Sequence, residues 1–380
     1  MQKLTLQQME DLLAGAAILG TGGGGSLTRG LREVREAVER GLTLYLVDVK
    51  ELGPDDWVGS PYYAGAVAPD AASGAAEPGG ATASGAVPNP ADLPAEPEAT
   101  RAFRALARYL GVPFKAVLAT ELGGGNTASA MVAAMQLGLP ILDADPAGRA
   151  VPELGHTTFA LTGRPIAPMA VTNRQGDVAI LTEVAGHDRA EALVRAMAQA
   201  SGNMVGVTDH PLPASRLKDA VIPGTLSRCL RIGQALREAQ EAGDDPVEAV
   251  RRAGEGYRLF HGRTVRATWA IERGFTFGEI QIQGLGAVVG SAYRVKYQNE
   301  HMVAWRDGVI DATIPDLIVL LHRDTGLPVI NPAAREGDEV EVLAFKAPAA
   351  WRSPRGLAIF GPAYAGVPAD YVPIEMRHSR

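Results

Sequence analysis

The stretch that decides the fold is KAVLATELGGGNTASAMVAAMQLGLPILDAD, residues 115–145. It predicts a strand over 116–120, a glycine loop at 123–125, a helix over 127–137 and a second strand that ends at Asp143. A helix that connects two strands through short loops is typical of a parallel α/β unit. The glycine loop follows the first strand, which is where open α/β sheets bind their ligands.

A second glycine-rich loop, GTGGGG at 20–25, separates two predicted helices near the N-terminus. Consecutive glycines allow backbone N–H groups to converge on an anion, and the helix that follows adds partial positive charge. The loop lacks the lysine and the serine or threonine of a P-loop, and it does not follow a strand. We expect four of its residues to bind substrate: Gly22, Gly23, Gly24 and Gly25.

The composition divides the chain into segments. Residues 69–99 are rich in alanine, glycine, proline and serine, so we predict a flexible loop there, either a disordered insertion or a lid. Short β-rich runs over about 262–346 indicate a small barrel or sandwich. The sequence therefore predicts a three-layer α/β domain with a mostly parallel sheet at 1–255 and a small β-barrel domain at 256–348. We expect the tail, 349–380, to pack back on the α/β domain.

Bulk properties exclude several classes of protein. The chain has 380 residues, of which 46% are hydrophobic and 21% charged, as in ordinary globular proteins of two or three domains. A net charge of −7 argues against a general nucleic-acid binder. No stretch approaches the roughly 20 apolar residues that span a bilayer. The first residues lack a basic region followed by an apolar one, so we expect no secretory signal. We expect a cytoplasmic homo-oligomer with a small-molecule substrate and with no nucleic-acid or membrane partner.

Polar residues accompany the second glycine loop. Glu121 directly follows the first predicted strand of the α/β unit, so it could act as a base or a ligand. Gly124 is a candidate for substrate contact through its backbone. Asn126 could donate to a substrate carbonyl, or it could simply cap the helix.

More polar residues follow the second strand. A turn could bring Asp143 and Asp145 to one site, where they would share acid and base roles, although Asp145 could instead start the turn. Together with Glu153 and His156 the two aspartates could also bind a divalent cation. Arg149 lies between these acids.

Other reactive side chains give weaker signals. The seven histidines form no HxxxH or HExxH pair, so each except His156 is interpreted as a surface or core residue. Cys229, the single cysteine, has no base nearby in sequence and is expected to be inert. Asn299-Glu300 and Pro315-Asp316 lie at turns of the β-rich part, from which they could reach a site between the domains.

Four separated motifs resemble those of the DUF917 family, which is associated with S-methyl thiohydantoin desulfurase. The motifs are GAAILGTGGGG (15–25), ELGGGN (121–126), LGLPILDADPAGRAVPEL (137–154) and GPAYAGVPADYVPI (361–374). The resemblance covers nearly the whole chain except 69–99. It implies an α/β sandwich with a C-terminal β-barrel, and hydrolytic chemistry on a five-membered, imide-like ring in hydantoin catabolism.

The resemblance also implies site residues. The positions that match the family pattern are Gly22, Gly23, Gly24, Gly25, Glu121, Asn126, Asp143, Asp145, Arg149 and Glu153. The position of His156 often holds another residue in the family, and Cys229 matches no fixed cysteine, so a histidine-bound metal and a cysteine nucleophile are both disfavoured.

The leading hypothesis is a hydrolase that converts S-methyl thiohydantoin to hydantoin and releases the thiol. A carboxylate, Glu121 or Asp143, would activate water, with Asp145 as a further catalytic candidate. The loop at 22–25 would hold a substrate carboxylate or developing negative charge, and Arg149 would anchor an anionic substituent. The alternatives are a metal- or nucleotide-dependent enzyme that acts on a small carboxylate substrate, and a non-catalytic subunit of a hydantoinase-type complex.

Overall fold

A computed structural model of the protein describes residues 1–65 and 96–378. Most of the segment at 69–99, predicted to be a lid or a disordered insertion, lies outside the described residues. Only its last four residues are described, and there Glu98 begins a helix.

The described residues form helices and strands that are numbered in chain order. The helices are α1 (Leu6–Leu19), α2 (Leu27–Glu39), α3 (Glu98–Leu110), α4 (Asn126–Leu137), α5 (Thr158–Leu161), α6 (His187–Gln199), α7 (Thr225–Ala242), α8 (Pro246–Gly254), α9 (Pro354–Phe360) and α10 (Ile374–Arg377). The strands are β1 (Gln2–Lys3), β2 (Tyr45–Val47), β3 (Trp57–Gly65), β4 (Phe114–Val117), β5 (Ile141–Leu142), β6 (Ala144–Asp145), β7 (Met169–Thr172), β8 (Val178–Leu181), β9 (Met204–Pro213), β10 (Ile222–Pro223), β11 (Tyr257–Glu272), β12 (Phe275–Gly284), β13 (Ala292–Gln298), β14 (Glu300–Arg306), β15 (Val309–Thr313), β16 (Leu317–His322) and β17 (Glu339–Phe345).

The first sheet has eight strands in the order β1-β2-β5-β4-β3-β9-β7-β8. The pairs β2-β5, β5-β4 and β4-β3 are parallel, whereas the other four pairs are antiparallel. The prediction of a mostly parallel sheet is therefore wrong. Among the described strands, only those around the α/β unit, β2 to β5, pair in parallel. The remaining strands differ because β7 and β8 form a hairpin and β9 runs antiparallel between β3 and that hairpin.

The second sheet has seven strands in the order β15-β14-β13-β12-β11-β17-β16, and every described pair in it is antiparallel. Alternate residues of β13 are buried, among them Tyr293 and Val295 inside the curl of the sheet. The sheet is a curled half-barrel whose edge strands, β15 and β16, do not pair in the described part of the chain. An α/β body with a barrel-like part is thus confirmed at this coarser level.

Helices α1 and α7 pack in unusually close contact through two glycines. A Cβ atom at Gly15 would overlap the backbone carbonyl of Cys229, and one at Gly233 would overlap the carbonyl of Asp11. Burial also raises the pKa of the Cys229 thiol far above its ordinary value, which leaves little nucleophilic thiolate. These helices share a core with Leu317 and other buried side chains of β16 and β17, so the half-barrel rests on the helical layer.

The C-terminal segment contacts the first half of the chain. The indole of Trp351 donates to the carbonyl oxygen of Ala147 (2.8 Å), and Arg355 donates to that of Ala160 (3.1 Å). The domain boundaries themselves stay a prediction. Of the helices in residues 1–65 and 96–378, none is both long and apolar enough to cross a membrane.

Candidate active site

A cavity of about 200 Å³ lies where the two glycine loops, β3, β9, α6 and the start of β14 meet. It is lined by five of the predicted site residues, which come from three separate motifs: Gly24, Gly25, Glu121, Asn126 and Glu153. Seven other predicted site residues do not line it: Gly22, Gly23, Gly124, Asp143, Asp145, Arg149 and His156.

The two glycine loops pack backbone against backbone. The carbonyl oxygen of Gly24 accepts from the N–H groups of Gly125 (2.9 Å) and Asn126 (3.0 Å), at the N-terminus of α4. A Cβ atom at Gly24, whose φ is +73°, would lie 2.5 Å from the Cα atom of Gly123. The glycines therefore permit close contact, and these two N–H groups are directed at a protein carbonyl, which disfavours a nucleotide at this helix end.

The first loop also joins the two sheets. The carbonyl of Thr21 accepts from the N–H of His301 (2.8 Å), and that of Gly22 accepts from the N–H of Asn331 (2.8 Å). A side chain at Gly23 would overlap the carboxyl group of Glu300. Gly22 and Gly23 thus have a packing reason to be glycine, and their role in substrate binding stays a prediction.

Glu121 is fixed in the cavity wall by two hydrogen bonds. Its Oε1 accepts from the side-chain amide of Asn126 (2.8 Å) and its Oε2 from the N–H of Val151 (2.8 Å). Although both bonds favour the ionised form, burial dominates and raises the pKa of Glu121 to about 7. The group therefore exchanges protons near neutral pH, as a general base or acid requires.

Asn126 connects this carboxyl group to β3. Its Oδ1 accepts from the N–H of Tyr63 (3.0 Å), while its amide nitrogen donates to Glu121. Asn126 is the first residue of α4, whose N-cap is Gly125. It is therefore not the side-chain cap that the sequence left open as an alternative, and it orients Glu121.

Glu300 brings a second carboxyl group from the half-barrel. It is buried, and its Oε2 has no hydrogen-bond partner among the described residues. Burial, and then the charge of Glu121, raise its pKa well above the ordinary value, which favours the protonated form. Asn299 and Glu300 both line the cavity, as the sequence suggested they could.

Another wall of the cavity is formed by Tyr62, Asp209 and His210, which belong to a chain of four polar side chains that ends at His187. The hydroxyl of Tyr62 donates to Oδ2 of Asp209 (2.7 Å), and Nδ1 of His210 lies 3.0 Å from Oδ1 of the same carboxyl group. Nε2 of His210 lies 3.2 Å from Nε2 of His187, and Phe159 stacks on the His210 ring. Sequence reasoning treated both histidines as isolated and did not single out Tyr62 or Asp209.

Arg149 is fully buried, and its guanidinium donates hydrogen bonds to other groups of the protein. Its guanidinium donates to the hydroxyl of Thr21 (2.8 Å) and to the carbonyls of Ala150 (2.9 Å) and Pro315 (3.2 Å). Further donations reach the carbonyls of Asp316 and His301. These contacts tie the first glycine loop to the half-barrel and occupy the guanidinium with protein acceptors, so an anionic substituent of a substrate would have to displace them.

The two aspartates of β5 and β6 also contact the protein. Asp143 accepts from the N–H (2.9 Å) and the hydroxyl (2.5 Å) of Ser227, in the first turn of α7. Asp145 accepts from the N–H groups of Ala147 (2.8 Å) and Gly148 (2.7 Å), and burial raises its pKa to about 6. Asp143 thus stabilises a helix N-terminus and Asp145 a turn, which is the alternative that the sequence left open for Asp145.

The residues predicted to hold a metal do not converge. Glu153 accepts from the hydroxyl of Tyr364 (2.7 Å), whereas His156 packs against the rings of Phe360 and Tyr364. Burial and the charge of Arg149 lower the pKa of His156 to about 3. Within 1–65 and 96–378, no three histidine, cysteine or acidic side chains lie close enough together to hold a metal ion.

Two cations complete the cavity wall. Arg195 of α6 pairs with Glu191 (2.5 Å) and lies over the ring of Phe275, and Arg29 of α2 pairs with Glu33 (2.7 Å). Burial raises the pKa of Glu191, as it does that of Glu121. Because its cations are already paired and several of its carboxyl groups have raised pKa values, the cavity suits a neutral, polar ligand better than an anion.

Comparison with known proteins covers almost the whole chain. Residues 7–183 match the family model described as S-Me-THD-like, N-terminal domain, and residues 185–374 match that described as S-Me-THD-like, C-terminal domain. A crystal structure of a protein from Chromobacterium violaceum is similar, with 25% sequence identity and a TM-score of 0.77 over 98% of this chain and 100% of that one. No functionally curated protein matches the chain in sequence.

Proposed function

The chain belongs to the S-Me-THD-like family, and from this premise we propose that it is an enzyme acting on a hydantoin-related ring. The proposed reaction is hydrolysis of S-methyl thiohydantoin to hydantoin with release of methanethiol. The observation that carries the proposal is the buried carboxyl group of Glu121, which lines the cavity and has a pKa raised to about 7.

The size of the cavity supports a small substrate. Its volume of about 200 Å³ is below the roughly 300–1,000 Å³ of pockets that hold drug-sized ligands. A single five-membered ring with a short substituent is a ligand of this class. The lining is both apolar and polar, which suits a ring that carries N–H and C=O groups as well as a methyl group.

The protonation of the lining supports a neutral ring. A protonated carboxyl group offers one O–H donor and one carbonyl acceptor side by side. A ring amide offers the complementary N–H and C=O pair. Glu300, whose pKa is raised well above its ordinary value, is such a group, and its Oε2 has no partner in the described residues.

In the proposed first step, the ionised carboxyl group of Glu121 takes a proton from water. The water oxygen then bonds to the ring carbon that carries sulfur, and the electron pair of the C=N bond moves to the ring nitrogen. That nitrogen takes a proton from an acid in the cavity. A positioned base of this kind contributes about 10²- to 10⁴-fold to a rate.

In the second step, the carbon–oxygen double bond forms as the carbon–sulfur bond breaks. The thiolate takes the proton that Glu121 had removed from water, and the hydroxyl proton of the intermediate returns to the acid. One proton of the water ends on sulfur and a second proton ends on the ring nitrogen, so the products are methanethiol and hydantoin.

The experiment measures methanethiol release from S-methyl thiohydantoin by the purified protein and by Glu121→Gln. Loss of the base should lower kcat by about 10²- to 10⁴-fold. Asp143→Asn is the matched control, because Asp143 contacts the start of α7 rather than the cavity. It should keep kcat and lose about 1 kcal/mol of stability, as for a lost helix cap.

Two results would contradict the proposal in different ways. Wild-type release together with an unimpaired Glu121→Gln variant would remove Glu121 from the mechanism. No release by the wild type would remove the reaction, and co-purification of a hydantoinase-type partner would then favour the non-catalytic subunit. Activity that depends on added divalent cations would favour the metal-dependent alternative.

A further inference from the structure

We propose that Tyr62, Asp209, His210 and His187 form a proton-transfer chain that complements Glu121, with Tyr62 as the proton donor at the cavity and His210 as the source that replaces its proton. This inference rests on the proposed function, because hydrolysis of the thiohydantoin needs a second proton carrier. Glu121 handles the proton that moves from water to sulfur. A different group must protonate the ring nitrogen and recover a proton when the carbonyl forms.

Hydrogen-bond contacts connect the four side chains continuously from the cavity to the first residue of α6. Tyr62, Asp209 and His210 are buried and line the cavity, whereas His187, the first residue of α6, is half-buried. The three links measure 2.7, 3.0 and 3.2 Å, all within hydrogen-bond distance. The described residues offer no group of three side chains that could hold a metal here, so the two histidines are interpreted as a hydrogen-bonded pair.

The backbone is shaped to produce this arrangement. Val58 pairs with Leu212 and Ser60 with Asp209, so two residues of β9, His210 and Pro211, lie opposite one residue of β3. This β-bulge places His210 at φ +41°, a conformation that costs energy for a residue other than glycine. Bulges and strained backbones of this kind concentrate next to active sites, where they redirect a side chain.

The direction of each hydrogen bond follows from the acceptors. Asp209 accepts from the Tyr62 hydroxyl and from Nδ1–H of His210. Burial and the neighbouring His210 lower the pKa of His187, so His187 is neutral and its Nε2 can accept from Nε2–H of His210. Both ring nitrogens of His210 therefore have an acceptor within hydrogen-bond distance, which fixes the orientation of the ring.

The proton steps then balance. The ring nitrogen takes the hydroxyl proton of Tyr62. Nδ1 of His210 gives its proton to the carboxylate of Asp209, and the resulting carboxyl group passes a proton to the Tyr62 oxygen, so that Tyr62 and Asp209 return to their starting forms and His210 becomes neutral. When the carbonyl forms, the hydroxyl proton of the intermediate returns along the same path and restores the imidazolium. The chain thus ends each cycle in its starting state.

The test uses two substitutions at one position. His210→Asn removes the titratable ring while keeping a residue that tolerates positive φ. It should lower kcat by about 10²- to 10⁴-fold and change the pH profile, because the proton-carrying ring is lost. His210→Gly also fits the backbone and leaves a hole beneath Phe159, so added imidazole should restore part of its activity.

The groups around His210 define the control variants for the pH profile. The titratable groups that contact His210 are Asp209 of the same strand and His187 of α6, and Tyr62 of β3 joins them through Asp209; Phe159 of α5 stacks on the ring. Asp209→Asn should reproduce the loss in kcat. His322→Asn, outside the cavity lining, should not.

Failure of this chain and failure of the proposed function give different results. An active wild type with a His210→Asn variant that keeps the wild-type kcat and pH profile would overturn the chain alone. A wild type without methanethiol release would overturn the function. The chain is then decided by nitrogen NMR of the histidine rings: a proton on Nδ1 of His210 that Asp209→Asn and added hydantoin both perturb supports it, and an Nδ1 without a proton overturns it.

Discussion

Ionisation of Glu121 should make the stability of the protein depend on pH, and Glu121→Gln should remove that part of the dependence. Burial raises the pKa of this carboxyl group from its ordinary 4.5 to about 7. Each pKa unit corresponds to about 1.4 kcal/mol, so ionising Glu121 in the folded protein costs about 3 kcal/mol relative to the unfolded chain.

The sign follows from proton binding. Between pH 4.5 and about 7 the folded state binds more protons at this site than the unfolded state does. The free energy of unfolding therefore has its full Glu121 contribution below pH 4.5 and loses it as the pH rises through about 7. Glutamine cannot ionise, so the variant should gain on the wild type by up to about 3 kcal/mol between pH 5 and pH 8.

The assay is urea unfolding of wild type and variant at a series of pH values, with the slopes compared to confirm two-state behaviour. Other buried carboxyl groups, such as Asp145, are present in both proteins, and most of their contribution cancels in the difference. Because the charge of Glu121 also raises the pKa of Glu300, its removal changes stability in the same direction.

Glu248→Gln is a control of opposite sign. Hydrogen bonds to Arg251 and Arg252 lower the pKa of Glu248 to about 2, so its contribution to stability is present at neutral pH and is lost in acid. This variant should therefore be less stable than the wild type at neutral pH, and the difference should shrink in acid. If instead the curves of Glu121→Gln and wild type run parallel from pH 5 to pH 8, the buried, proton-exchanging carboxyl group of the site does not exist.

Two further predictions concern close backbone contacts. Gly24→Ala combines a φ of +73° with a Cβ atom 2.5 Å from Gly123, so we expect a loss of about 1–3 kcal/mol in thermal unfolding. An unchanged midpoint would contradict the contact between the glycine loops. Gly233→Ala would stabilise an isolated helix by about 0.5–1 kcal/mol, but its Cβ atom would overlap the carbonyl of Asp11 and should destabilise the protein. A higher melting temperature for this variant would show that α1 and α7 are less tightly packed.

Part of the site could be predicted from sequence because glycine reports backbone proximity. Runs of glycine mainly serve tight turns and close approach of the backbone to another group. Two such runs therefore predicted two places where the backbone contacts a ligand or another part of the chain. In the structure Gly24 meets Gly123, and Glu121 and Asn126 border the same cavity. The residue types were informative because their physical requirement was narrow.

The role of Arg149 and the direction of the strands could not be predicted from the residue types alone. A charged residue in a loop is compatible with substrate binding and with holding buried carbonyls, and only the position of the half-barrel decides between them. Thr21 and the carbonyl of Pro315, both distant from Arg149 in sequence, supply the partners. In the same way, the alternation of a strand specifies its faces but not whether its neighbour is parallel or antiparallel.

The contact between Asp209 and His210 could not be predicted because it departs from the geometry of a regular strand. Successive side chains of a regular strand point to opposite faces, so an acid and a histidine at adjacent positions should not contact each other. Their 3.0 Å contact exists because the bulge at His210 breaks that alternation. Pro211 is a local sign of an irregularity, because proline within a central strand is confined largely to bulges. It does not show that His210 and Pro211 together lie opposite one residue of β3, which only the pairing of the two strands decides. The position of this acid–histidine pair is therefore set by strand register, which the sequence within a single strand does not encode.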